Sequence, residues 1–206
     1  MDIQDKIRDI NLEEMIVRAN TGVPISDQER SLIGYYITNR EDLLTSRMID
    51  QDDLFLAVTL VGRAQFLELE DELKTIASSS DVLLASHAIE ILGSWWKKGE
   101  ANLELIFDLS LGKAYDRDGD LQSVSIRVLS EIIKDAHKEN RNFKHIKDHL
   151  ISICNDSDQP NRIRSFAYFS LCEALLEEEA SKISPHENIN FEAKSVASNL
   201  VALRSL

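Results

Sequence analysis

Four groups of residues carry types and spacings that could do chemistry, and each also has a plainer structural reading. Asp116-Arg117-Asp118-Gly119-Asp120 sets acids at alternate positions, as a calcium loop does. Such a loop needs acids at positions 1, 3 and 5, glycine at 6 and a bidentate glutamate at 12. Here Gly119 precedes the third acid, and position 12 counted from Asp116 is Arg127. The stretch reads as a polar turn that caps the following helix.

His145 and His149 stand four apart, a helical spacing that can hold zinc. The run is His-Ile-Lys-Asp-His, so no glutamate follows His145, and Lys144 and Lys147 would repel a cation. His137 is the only further histidine near in sequence, and no third ligand is evident. A solvated helix face is the expectation, with no metal and no cofactor.

Trp95-Trp96 could stack on nucleic-acid bases, and Lys134, Lys138, Arg141, Lys144 and Lys147 form the one basic concentration. Asp135 and Glu139 interrupt that run, and the whole chain sets 36 acidic against 23 basic side chains, a net charge of −13. Such a surface repels phosphate backbones and anionic membranes alike. Neither nucleic acid nor membrane is an expected partner. Trp95 should pack at the end of its helix, whereas Trp96, beside Lys97-Lys98-Gly99, is expected to be partly exposed.

Glu68, Glu70, Asp71 and Glu72 open a helix, where acids favour the dipole. Glu173 and Glu177 to Glu179 fall near a helix end, where they do not. An acidic strip facing a cationic protein is the sharpest binding hypothesis. Its candidate residues are Glu68, Glu70, Asp71, Glu72, Trp96, Glu173, Glu177 and Glu178. There is no Gly-x-Ser-x-Gly elbow, no phosphate-binding glycine loop and no catalytic constellation, so an enzyme is not expected.

The elements that position these groups are helices. Of 206 residues 43% are hydrophobic and 29% charged, with 7 glycines and 3 prolines, too few turn formers for a β-sandwich. Long Leu/Ile/Ala/Glu/Lys segments give an all-α class. Cys154 and Cys172 sit in apolar helical patterns and read as buried thiols, not as a disulfide framework. The polar start of the sequence and the absence of any run near 18 apolar residues make the cytoplasm the default compartment.

Ile7, Ile10, Leu12, Met15, Ile16 and Ala19 predict one or two short helices up to Asn20, closed by Gly22 and Pro24. Ser26-Asp27-Gln28-Glu29 has capping-box form and predicts a helix through Leu32, Ile33, Tyr36 and Ile37. Asn39 and Arg40 separate it from a shorter one over about 41–48. From Asp50 a frame repeats. Asp50, Ala57, Leu60, Val61 and Gly62 match Asp81, Ala88, Ile91, Leu92 and Gly93. Asp118, Leu121, Ser125, Val128, Leu129 and Ser130 form the third copy, and Ile163, Arg164, Ala167, Ser170, Leu171 and Cys172 the fourth. A second apolar helix follows each of the first three, through Phe66 to Ile76, Leu103 to Leu109 and Phe143 to Ile151. The tail restarts a helix after Pro185, with Phe191, Val196, Leu200 and Leu203 on one face.

Asp81, Leu84, Ala88, Leu92 and Gly93, with Ile163-Arg164, resemble the first helix of the HEAT-repeat family. The arginine is absent from the other three copies, Asp53 takes the place of Leu84, and Ser125 replaces an alanine. The resemblance implies one α-solenoid domain over 1–206 of about four to five HEAT-like helix pairs. In it, 1–49 is an N-terminal helical cap, 50–176 the repeats and 177–206 a C-terminal capping helix. It further implies a non-enzymatic protein-binding module whose second helices line the concave, partner-binding face. Charge and size point to a stoichiometric binder of a basic toxin or enzyme, as bacterial immunity proteins are. A general scaffold or adaptor is the alternative, and a HEAT-like DNA glycosylase a more distant one.

Overall fold

The computed structural model describes residue 7 and residues 10–176, 180–183 and 189–205. Among these residues there are helices and turns and no strand, so the protein is all-α. No described helix is long and apolar enough to cross a membrane. The chain divides into two compact units, Met1–Lys97 and Lys98–Leu206.

In the first unit the helices are α1 (Leu12–Asn20), α2 (Asp27–Thr38), α3 (Arg40–Thr45), α4 (Gln51–Arg63), α5 (Glu70–Ala77) and α6 (Val82–Glu90). Their starts follow from side chains that satisfy otherwise orphaned amides. Asn11 accepts from Glu14 N–H at 3.0 Å to open α1. Ser26 and Glu29 close the expected capping box on α2. Asp50 and Asp53 do the same for α4, and Asp81 accepts from Leu84 N–H to open α6. Arg18 ties α1 to α2 through Glu29 at 2.6 Å, a bond that holds the Glu29 carboxyl at about 2. The last turn of α6 widens into a π-helix over Ile91–Trp95, in which Trp96 N–H reaches back to the Ile91 carbonyl.

The second unit contains α7 (Leu103–Ser110), α8 (Asp120–Lys138), α9 (Lys144–Asn155), α10 (Asn161–Leu175) and α11 (Lys194–Ser205). The third copy of the frame starts differently from its expectation. Asp118 does not open α8. Asp116, itself buried, accepts from Asp120 N–H and Gln122 N–H at 2.9 Å each. Gly119 between them has φ +67°, and a Cβ there would stand 2.8 Å from Ile163 Cδ1. Both the turn and the approach of α10 therefore require glycine.

The small residues of the repeating frame occupy the most crowded places. Ala57, Ala88, Ser125 and Ala167 are all fully buried, as are the Val61, Leu92, Leu129 and Leu171 positions. Within the first unit α4 packs on α6, and within the second α8 packs on α10, so frame-bearing helices lie side by side in each. Val196, Leu200 and Leu203 bury the apolar face of α11 against α9, where the buried Lys147 Nζ donates to the Arg204 carbonyl at 3.3 Å. The restart after Pro185 lies outside the described residues.

Candidate partner-binding surface

The acids singled out in the sequence fall into three situations. Glu68, Glu70, Asp71 and Glu72 stand where α5 begins, and all are engaged by cations of their own unit. Glu68 meets Arg30 at 3.0 Å and Glu72 meets Arg40 at 2.9 Å. Lys74 reaches Glu70 and Asp71, each at 3.1 Å. The cluster thus works locally, since acids in a first turn favour the dipole and their charge is returned by neighbours. Glu173 is exposed on α10. Glu177 and Glu178 lie outside the described residues.

Trp96 is half-buried, and its indole Nε1 donates to the Gly62 carbonyl at 3.1 Å. That bond fastens the π turn to the end of α4. Beside it, the Arg63 guanidinium lies 4.1 Å from the Trp95 ring. Both tryptophans therefore belong to the packing of α4 against the end of α6.

One expectation is corrected. His149 does not lie on a solvated face: it is half-buried, tilted over Phe107 at 4.4 Å between centroids, with Nε2 2.7 Å from Ser110 Oγ. Burial pushes its pKa down from the ordinary value. His145 is exposed and meets Phe107 edge-on. A hydroxyl beside an imidazole is the start of a nucleophilic site. Ser110, however, is sealed from solvent and its hydroxyl also donates to the Phe107 carbonyl. Among the described residues no group of three or more His, Cys, Asp or Glu is placed to hold a metal. The basic run is absorbed in part: Arg141 pairs with Glu100 and Glu139 and Lys147 is buried, while Lys134, Lys138 and Lys144 are exposed.

The structure brings together a different set of acids, which the sequence analysis did not single out. Between α1, α2 and α4 lies a cavity of 410 Å³ lined by Ile7, Ile10, Leu12, Tyr36, Met48, Ile49 and Leu56, with Asn11, Glu13 and Asp53 as its polar members. No cation among the described residues pairs with Glu13, Asp52 or Asp53, in contrast to the α5 acids. A second cavity of the unit, 340 Å³, carries the opposite charge, lined by Arg30 and Arg63 around Val23, Pro24 and Phe66. The Arg30 guanidinium there lies 4.3 Å from the Phe66 ring. The signal for the first cavity is Asp50-x-Asp52-Asp53. Asp50 was legible as the start of the repeating frame, but the nearness of Asp53 to Glu13 and Tyr36 depends on how three helices meet.

Comparison with protein-family models, with curated proteins and with solved structures finds no match to this chain.

Proposed function

We propose that the chain is a non-enzymatic, HEAT-like protein-binding module, and that its partner is a basic protein held in a stoichiometric complex. The observation that carries this reading is the placement of uncompensated acid. The first unit sets 18 acidic against 9 basic side chains, a net −9, while the second sets 18 against 14, a net −4. Within the first unit the α5 acids are paired internally, whereas Glu13 and Asp53, which line the cavity, and the exposed Asp52 have no cation paired with them among the described residues. Unpaired carboxylates on a folded surface steer a cationic partner and gain when it desolvates them. The packing of α4 on α6 and of α8 on α10 supports a stack of helix pairs, in which each pair covers the apolar stripe of its neighbour. An inhibitor that covers the basic face of a toxin or enzyme, in the manner of immunity proteins, is the concrete form of this function.

The test is capture of partners from the protein's own cell lysate at low and at high salt, with a Glu13→Lys/Asp52→Lys variant in parallel. One basic partner, bound 1:1, released by salt and lost with the variant, is the expected result. Partners that resist salt and ignore both substitutions would mean an apolar adaptor surface instead.

A further inference from the structure

The cavity between α1, α2 and α4 is furnished with acceptors and, among the described residues, carries no cationic donor. Leu12, Tyr36 and Ile49 form its buried floor, and Ile10, Met48 and Leu56 stand half-buried in its wall. Tyr36 is 1% exposed and lines the cavity, and its hydroxyl has no hydrogen-bond partner among the described residues. Burial first, and then the charges of Asp53 and Asp50, push the Tyr36 pKa up. Asp53 uses Oδ2 to accept from Asp50 N–H at 3.1 Å, and Oδ1 is left for a ligand. Glu13 is exposed at the rim, with no cation against it among the described residues.

An anion would be repelled here, and a neutral apolar guest would leave the phenol and both carboxylates unsatisfied. A guanidinium docks best on two parallel carboxylate oxygens, and Asp53 offers one. A primary ammonium is a compact charge whose three donors can diverge to separate acceptors. The apolar wall suits an alkyl stem, and 410 Å³ lies in the usual range of ligand cavities. We propose that this cavity receives a lysine side chain of the protein partner, its ammonium donating to Tyr36 Oη and Asp53 Oδ1 and its stem lying against Ile10, Met48 and Leu56. This deepens, and rests on, the reading of the chain as a binder of a basic protein.

The experiment is a nuclear magnetic resonance titration of the full ¹⁵N-labelled chain with hexylammonium, hexanol and hexanoate at constant ionic strength. Saturable shifts centred on α1, α2 and the start of α4 are expected with hexylammonium. Hexanol and hexanoate should bind at least about ten-fold more weakly, because each forfeits a charge-assisted hydrogen bond. Tyr36→Phe keeps the ring and Asp53→Asn keeps a capping acceptor, and each should weaken hexylammonium by about three- to ten-fold. Should Tyr36→Phe perturb the fold, Asp53→Asn and Glu13→Gln carry the same test. No saturable shift, or equal binding of hexanol, overturns the proposal. So does binding that appears only once residues 1–6 are removed, since the chain would then fill its own cavity. If hexylammonium fails while a basic partner is still captured in a salt-dependent complex, the lysine site falls and the protein-binding reading stands.

Discussion

Each compact unit seats one histidine on a phenylalanine and against a hydroxyl, and the two seats differ in the charge beside them. In the first unit His87 stacks on Phe55 with centroids 4.6 Å apart, and its Nε2 lies 2.9 Å from Thr59 Oγ1. In the second, Phe107 and Ser110 play the same parts for His149. Both hydroxyls already donate to a carbonyl of their own helix, Thr59 to Phe55 and Ser110 to Phe107. A hydroxyl has one proton, so with that proton on the carbonyl each imidazole donates to it through Nε2–H. Beyond this shared core, Glu90 Oε2 waits 3.9 Å from His87 Nδ1, and the Trp95 ring with Arg63 above it closes the other side. Around His149 the depressed pKa has burial as its one cause. The same local device thus hides an imidazole twice, and one copy alone has a counter-charge in place should the ring take a proton.

The sharpest way to break the first seat is from behind. A Cβ on Gly62 would stand 2.8 Å from Ile91 Cγ1 and from Trp95 Cε3, both of them in the π turn that presents Trp95 to His87. Gly62→Ala should cost about 1–3 kcal/mol by overpacking, read as a fall in the urea midpoint. Ser130→Ala, at the matching position of the frame in α8, adds no atom and should cost much less. Equal costs would show that the close approach of α4 to the π turn is not maintained in solution.

Next come the hydroxyls themselves. Ser110→Ala leaves the His149 Nε2–H without its acceptor in a sealed site and should destabilise by about 2 kcal/mol. Thr59→Val keeps the shape of Thr59, which is partly exposed, so water can replace the lost bond and the cost should be nearer to about 1 kcal/mol. Thermal or urea unfolding of the two variants ranks them. The reverse order would mean that burial is not what separates the two seats.

What the sequence could and could not reveal follows from the range of the forces involved. Caps are local, so Ser26 with Glu29, Asp50 and Asp81 announced α2, α4 and α6 at the right residues. The buried frame was legible for the same reason, since small side chains at helical spacing mark the face that must lie close to a neighbour. Asp118 misled because the αL turn at Gly119 carries the chain past it and hands the capping role to Asp116, a choice dictated by Ile163 on a helix some forty residues away. Charge clusters were read as exposed because their counter-ions are distant in sequence. Arg30 and Arg40 precede Glu68 and Glu72 by 38 and 32 residues, and no periodicity shows that they meet. The His149 seat and the Glu13–Tyr36–Asp53 cavity are tertiary in the same sense.

The pH dependence of stability separates the two seats further. Both histidines have folded pKa values lowered from 6.5, so between 6.5 and the folded value the unfolded chain binds a proton that the folded chain refuses. This contribution to stability is fully present above pH 6.5 and is lost as pH falls from there through the folded pKa. Unfolding midpoints should therefore drop between pH 7.5 and pH 5. His149→Asn should remove more of that drop than His87→Asn, by on the order of 0.5–1 kcal/mol, because protonated His149 has no counter-charge to meet. An equal share for both would show that Glu90 gives His87 no relief.

The smallest effect tests that relief directly. Among the causes acting on His87, burial is the largest and lowers the pKa, Glu90 raises it, and Arg63 lowers it. Glu90→Gln deletes the one cause that raises it and leaves a side chain of nearly the same shape. The His87 midpoint, followed through its imidazole proton resonances, should then move down while that of His149 stays in place. The first seat becomes electrostatically like the second, and the variant should lose a few tenths of a kcal/mol more than the parent on acidification, as a half-exposed ion pair implies. If the His87 midpoint does not move, the 3.9 Å approach of Glu90 is too well screened to matter, and the two seats differ in their packing alone.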